Sequence, residues 1–184
     1  MPILIPRRTL TFGFAAIPLA LAATVPVAAA RAAGVDGLTR ASESIHQEVT
    51  FAAPRQRVYE ALTKANQFDA VTRLSDGLEL LNRPGARATS ISSELGGEFV
   101  LFGGYITGRH LELRPAERIV QAWRTGSWKS GDYSIVNFSL TDAGAATKLV
   151  FDHRGFPEGT GASLSAGWHD HYWEPLAKFL TQDR

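Results

Sequence analysis

Residues 167–180 read GWHDHYWEPLAKFL. Two tryptophans, a tyrosine, two histidines and a proline share one short window, which is either a metal site built around HDH or the apolar side of a helix. Leu164, Trp168, Tyr172, Leu176, Phe179 and Leu180 recur every three or four residues and predict a helix from about 163 to 181, with Ser163 as its N-cap. On a helix, residues two apart lie about 200° apart around the axis, so His169 and His171 cannot share one ion. The zinc-helix pattern HExxH is absent, and no metal is expected. Pro175 has no N–H for the carbonyl of residue 171, so the helix should bend or loosen over 171–175. The stretch reads as a lid.

The lid needs something to cover. Ile45, Val49 and Phe51 alternate with His46, Glu48 and Thr50, as in a strand with one buried face. APRQRVYEALTKAN follows, with Pro54 suited to a first helical turn and Val58, Ala61, Leu62 and Ala65 forming one stripe that ends near Asn66. Phe68, Val71 and Leu74 suggest a further short helical piece. Residues 77–87 carry no clear period. From residue 88 the chain alternates extended segments with short turns: ATSISSE, GEFVLF, YITGRHLEL, RIVQAWRT, YSIVNFSL and TKLVFDHRG. Short connections between neighbours favour an antiparallel meander. The order strand, helix, several strands, long helix predicts an α+β fold in which the two helical regions cover one face of the sheet.

The first 32 residues differ in kind. Arg7 and Arg8 precede an apolar, alanine-rich run, and Ala30-Arg31-Ala32 offers a small-residue exit. This is the layout of an export signal of twin-arginine type over 1–32, followed by a linker over 33–43 and a folded domain over 44–184. The expected location is periplasmic or secreted after cleavage near Ala32, with membrane contact only through the signal. Without 1–32 the chain keeps 16 basic and 18 acidic residues. That balance excludes a protein that binds nucleic acid by neutralising phosphates. No cysteine is present, which excludes disulfides, thiolate metal sites and a cysteine nucleophile.

Catalytic motifs are scarce. GASLSAG has the wrong spacing for GxSxG and follows no strand. The glycines of GGEFVLFGGYITG match no phosphate-binding loop and fit bulges or turns in a bent sheet. Asp69, His110 or His153 could serve as a lone general acid or base, but no spacing nominates one. The aromatic content stands out, with four Trp, four Tyr and ten Phe. Trp123, Phe138, Phe151, Trp168, Tyr172 and Trp173 fall on strands or on the last helix. They are the expected walls of a cavity between sheet and helix, with His110 and Arg124 as polar contacts.

The blocks FGGYITG, ELRPAERIVQAWR, TKLVFDHRGFP and YWEPLAKFL resemble the C-terminal domain of the heat-shock protein 90 ATPase activator homologues, within the SRPBCC (START-like, helix-grip) superfamily. VTFAAPRQRVYEALT is similar to that family's first strand and helix. The resemblance spans about 44–181 and implies a curved antiparallel sheet wrapped around a long C-terminal helix. It implies no universal catalytic residue and no cofactor. Three functions remain open: an exported module binding a small hydrophobic ligand, an interaction module that stimulates a chaperone ATPase, and a cyclase or hydratase using a cavity acid or histidine. The first is the primary expectation, with a non-enzymatic role favoured.

Overall fold

The computed structural model describes residues 43–75 and 78–182. The export signal over 1–32 and, apart from Glu43, the linker lie outside the described residues.

Strand β1 (Ser44–Phe51) leads into helices α1 (Arg55–Thr63) and α2 (Ala65–Thr72) and a short α3 (Leu78–Asn82). Strands β2 (Ser90–Ile91), β3 (Glu98–Leu101), β4 (Ile106–Arg114), β5 (Arg118–Thr125), β6 (Ser134–Ala143) and β7 (Ala146–Arg154) follow. All pair antiparallel in one sheet of order β1-β7-β6-β5-β4-β3-β2. From β2 to β7 each strand pairs with the next in sequence, and only β1 is placed by a crossover. A continuous helical rod closes the chain as α4 (Gly161–Trp168), a π-helical turn (His169–Trp173) and α5 (Glu174–Gln182). The fold is α+β with the helix-grip arrangement.

One face of the sheet is apolar because side chains alternate along each strand. Phe151 of β7 pairs with Phe138 of β6, which pairs with Ile119 of β5, and all three are at most 2% exposed. Trp168, Leu176 and Leu180 press onto the apolar interior from the terminal rod. At about 25 cal/mol per Å² of apolar surface, each large side chain buried here contributes roughly 1.5–3 kcal/mol before conformational entropy is subtracted.

The π-helical turn is the local answer to Pro175. The Glu174 amide bonds the carbonyl of His169, five residues back, so the ladder has already widened where proline cannot donate. The loosening lies at 169–173, two residues earlier than the spacing suggested. Its consequence is that Tyr172 and Trp173 are both buried, although they are neighbours in sequence.

Three local expectations need correction. The first helix ends at Thr63 rather than near Asn66, because Lys64 is extended with φ −100° and ψ 120°. That break turns α2 so that Phe68 enters the core, 1% exposed, against Phe102 and Tyr172. Only Ser90–Ile91 of ATSISSE pairs as strand, since Ser92 to Gly97 make a turn closed by the Gly97 amide on the Glu94 carbonyl. Ser163 lies inside the rod and bonds the Thr160 carbonyl at 2.9 Å. The N-terminus is capped instead by Glu43, whose carboxylate accepts from the Gly159 amide at 3.0 Å and the Gly161 amide at 2.9 Å.

Candidate functional site

A cavity of about 250 Å³ lies between the β4–β5 end of the sheet and the first half of the terminal rod. Phe102, Ile106 and Trp123 form its sheet side, while Leu164, Trp168, His171 and Tyr172 form its helix side. Tyr105, Thr125, Ser163 and Gly167 complete the lining. Exposed Ser163 and half-buried Leu164, Gly167 and Tyr105 place its rim at the surface.

Glycines shape the sheet side. Gly108 pairs with Trp123 across β4–β5 and with Phe99 across β3–β4. A Cβ on Gly108 would run into the Ala122 carbonyl and the Phe99 ring, so only glycine lets Phe99 lie across β4. The chain then turns at Phe102-Gly103-Gly104, where φ is 49°, 66° and 87°. A left-handed phenylalanine costs about 1–2 kcal/mol. Its ring is held against Phe68 at 5.7 Å and Tyr172 at 5.4 Å between centroids, which fixes one wall of the cavity.

Of the residues expected from sequence, Trp123, Trp168 and Tyr172 line this space. Phe138 and Phe151 sit deeper, with the Phe151 ring 4.3 Å from that of Trp168. Trp173 stacks on Trp168 at 5.7 Å but donates its indole N–H to Gln47 Oε1 at 2.6 Å, tying the rod to β1. His110 is fully buried beside Phe99, and neither ring nitrogen has a hydrogen-bond partner among the described residues. Burial lowers its pKa, and the Ser92 backbone, near the ring without meeting it in hydrogen-bond geometry, opposes part of that fall. Arg124 follows Trp123 and so points to the other face, where it donates to the carbonyls of Trp128 and Lys129 at 2.8 and 3.0 Å. The structure therefore gathers three of the eight at the cavity and leaves five outside its lining.

The lone acid–base candidates also lie off the lining. Asp69 accepts two hydrogen bonds from Arg73 at 3.1 and 2.9 Å on an exposed turn of α2. His153 is fully buried in a defined chain. The Trp168 indole N–H donates to its Nδ1 at 3.0 Å, so the proton sits on Nε2. Nε2–H then donates to Ser134 Oγ at 2.7 Å, and that hydroxyl donates to the Trp123 carbonyl at 2.9 Å. Desolvation pushes the imidazole pKa down to about 3. A histidine neutral at ordinary pH with both nitrogens engaged holds Trp123 and Trp168 in place and has no free nitrogen for a substrate proton.

Three polar atoms on the cavity residues remain without partners among the described residues: Trp123 Nε1, Tyr172 Oη and His171 Nδ1. Desolvation raises the Tyr172 pKa, and the nearby Trp123 indole opposes part of that rise without meeting the hydroxyl in hydrogen-bond geometry. Among the described residues no three His, Cys, Asp or Glu side chains gather as metal ligands. His169 is exposed and contacts Asp170 and Glu174, while His171 turns to the Phe102 ring.

Phe102, Ile106, Thr125, Gly167 and His171 belong to the cavity and were not expected there. A helical signal existed for two of them, since Gly167 and His171 lie three and seven residues after Leu164. For Phe102 the left-handed turn erased any strand period.

The family model described as Activator of Hsp90 ATPase homolog 1-like protein matches residues 52–181. The chain belongs to that family. The human Activator of 90 kDa heat shock protein ATPase homolog 1 is 26% identical over 127 residues, covering 69% of this chain and 34% of the human protein. The chain spans about a third of the length of the first two curated relatives it matches. Among solved structures, PFC0360w, an HSP90 activator from Plasmodium falciparum, superposes with a TM-score of 0.63 at 25% identity, covering 74% of this chain and 95% of that one. CalU16 from Micromonospora echinospora gives a TM-score of 0.59 at 21% identity over 77% of this chain and 78% of its own, a likeness of fold. The activator-homologue and SRPBCC resemblance seen in the blocks from FGGYITG to YWEPLAKFL thus holds.

Proposed function

We propose that this SRPBCC-type domain is a binding module that holds a small hydrophobic molecule between the β4–β5 end of the sheet and the terminal helix. The cavity beside Trp123, Trp168 and Tyr172 carries the reading. Its 250 Å³ exceeds the ~150 Å³ that admits a benzene and falls a little below the ~300 Å³ of larger ligand sites. A molecule of one or two rings fits that range. Aromatic walls on both sides supply contact area with little entropy to lose, because their rings are already packed. The export reading joins this one: Arg7, Arg8 and the apolar run after them would deliver the domain outside the cytoplasm. Native mass spectrometry of gently purified protein, followed by titration with small lipids and aromatics, tests the binding. A bound or titratable small molecule supports it; an empty protein that ignores the whole panel removes it.

Family membership favours a second reading, stimulation of a chaperone ATPase. It predicts faster ATP turnover by a heat-shock protein 90 when the full chain is added. Fractionation separates the two readings: a chain found only outside the cytoplasm has no access to that chaperone.

A further inference from the structure

We infer that the cavity selects an uncharged one- or two-ring molecule bearing a carbonyl-type oxygen, received by the indole N–H of Trp123 and the hydroxyl of Tyr172. This deepens the ligand-binding reading and stands only if that reading stands. Trp123 is 3% exposed and Tyr172 5%, both line the cavity, and neither polar atom meets a partner in hydrogen-bond geometry among the described residues, although the indole lies near enough to the hydroxyl to influence it. Burying a donor without an acceptor is unfavourable, so two such groups on the two sides of one small cavity mark where an acceptor belongs. The indole can only donate, which makes the complementary atom an acceptor. Trp168 is no competitor for it, because its own N–H is committed to His153. Thr125 is also engaged, with its Oγ1 2.7 Å from Ser127 Oγ.

Charge decides the ligand class. The lining holds no Lys, Arg, Asp or Glu. A carboxylate placed there would lose its hydration with no cation to offset the loss. A ketone, quinone or amide oxygen loses far less and gains two donors. The unpartnered Nδ1 of His171 adds one further polar atom on the same lining, able to donate or accept according to its tautomer.

The test compares three bicyclic probes of one shape on the full chain by NMR titration: tetralin, 1-tetralone and the carboxylate of tetralin-1-carboxylic acid. The ketone should bind about tenfold tighter than tetralin, and the carboxylate more weakly than the ketone. Tyr172→Phe and Trp123→Phe should each cut the ketone-to-tetralin preference by about threefold or more, the preference being taken as a ratio within each variant so that a change in overall affinity of the altered wall cancels. Equal binding of ketone and tetralin overturns the inference, as does a preference that survives both substitutions or a carboxylate that binds tightest. If no probe binds, the cavity reading itself fails and this inference with it.

Discussion

The indole N–H of Trp168 donates to Nδ1 of His153 across 3.0 Å, joining the terminal helix to strand β7 through an imidazole that must stay neutral. The folded pKa of His153 is about 3 against an ordinary 6.5. Between those values the unfolded chain holds the proton and the folded chain does not, so stability is fully present above the ordinary value and falls as pH drops toward 3. At about 1.4 kcal/mol per unit, the loss amounts to a few kcal/mol. Urea midpoints should therefore fall between pH 7 and pH 4. His153→Gln keeps an acceptor for Trp168 and a donor for Ser134, and should flatten part of that fall. An unchanged slope in the variant would remove His153 as its source.

Glu43 caps the rod from outside it, and Gly161 leaves it room. A Cβ on Gly161 would sit 2.7 Å from the Glu43 carboxylate. Glu43→Ala should cost about 1 kcal/mol in denaturant unfolding, as other lost caps do. Gly161→Ala should cost a similar amount by pushing the same contact apart. The double variant should then lose less than the two single losses summed, because both act on one interaction. Strict additivity would show that the cap and the glycine are independent.

Gly108→Ala should destabilise the protein by about 1–3 kcal/mol or more, since the added methyl meets the Ala122 carbonyl and the Phe99 ring in the middle of the sheet. Thermal unfolding measures it. A neutral effect would mean that the Phe99 ring moves aside without cost.

Gly167 faces the cavity from a helical position, where an added Cβ meets only His171, at 4.0 Å. Gly167→Ala should stabilise the fold by about 0.5–1 kcal/mol through helix propensity. Gly167→Leu should keep the fold and abolish small-molecule binding by filling the space. Unimpaired tetralin binding by the leucine variant would place the binding site elsewhere.

The fold was legible because its signals are periodic and long. The alternation in β1, β5, β6 and β7 and the three-to-four spacing of the terminal helix each survive tertiary context. The break at Lys64 was not legible, since it depends on Phe68 gaining a place in the core. The cavity was legible only in part, three of the eight expected residues lining it. Trp123, Trp168 and Tyr172 follow from bulk and position, but Phe102 reaches the wall only through a left-handed turn. Arg124 shows the opposite hazard: adjacent to Trp123, it is carried to the other face by the same alternation that buries the tryptophan.

The central claim is that the space under the terminal helix receives a small apolar molecule, and the four tryptophans supply its most direct readout. Each indole N–H gives one signal in an amide-correlation NMR spectrum. Titrating tetralin into the full chain should move the Trp123 and Trp168 indole signals most and leave that of Trp173, bonded to Gln47, nearly fixed. Saturating tetralin that moves none of them, or moves Trp173 while Trp123 and Trp168 stay still, would contradict the account.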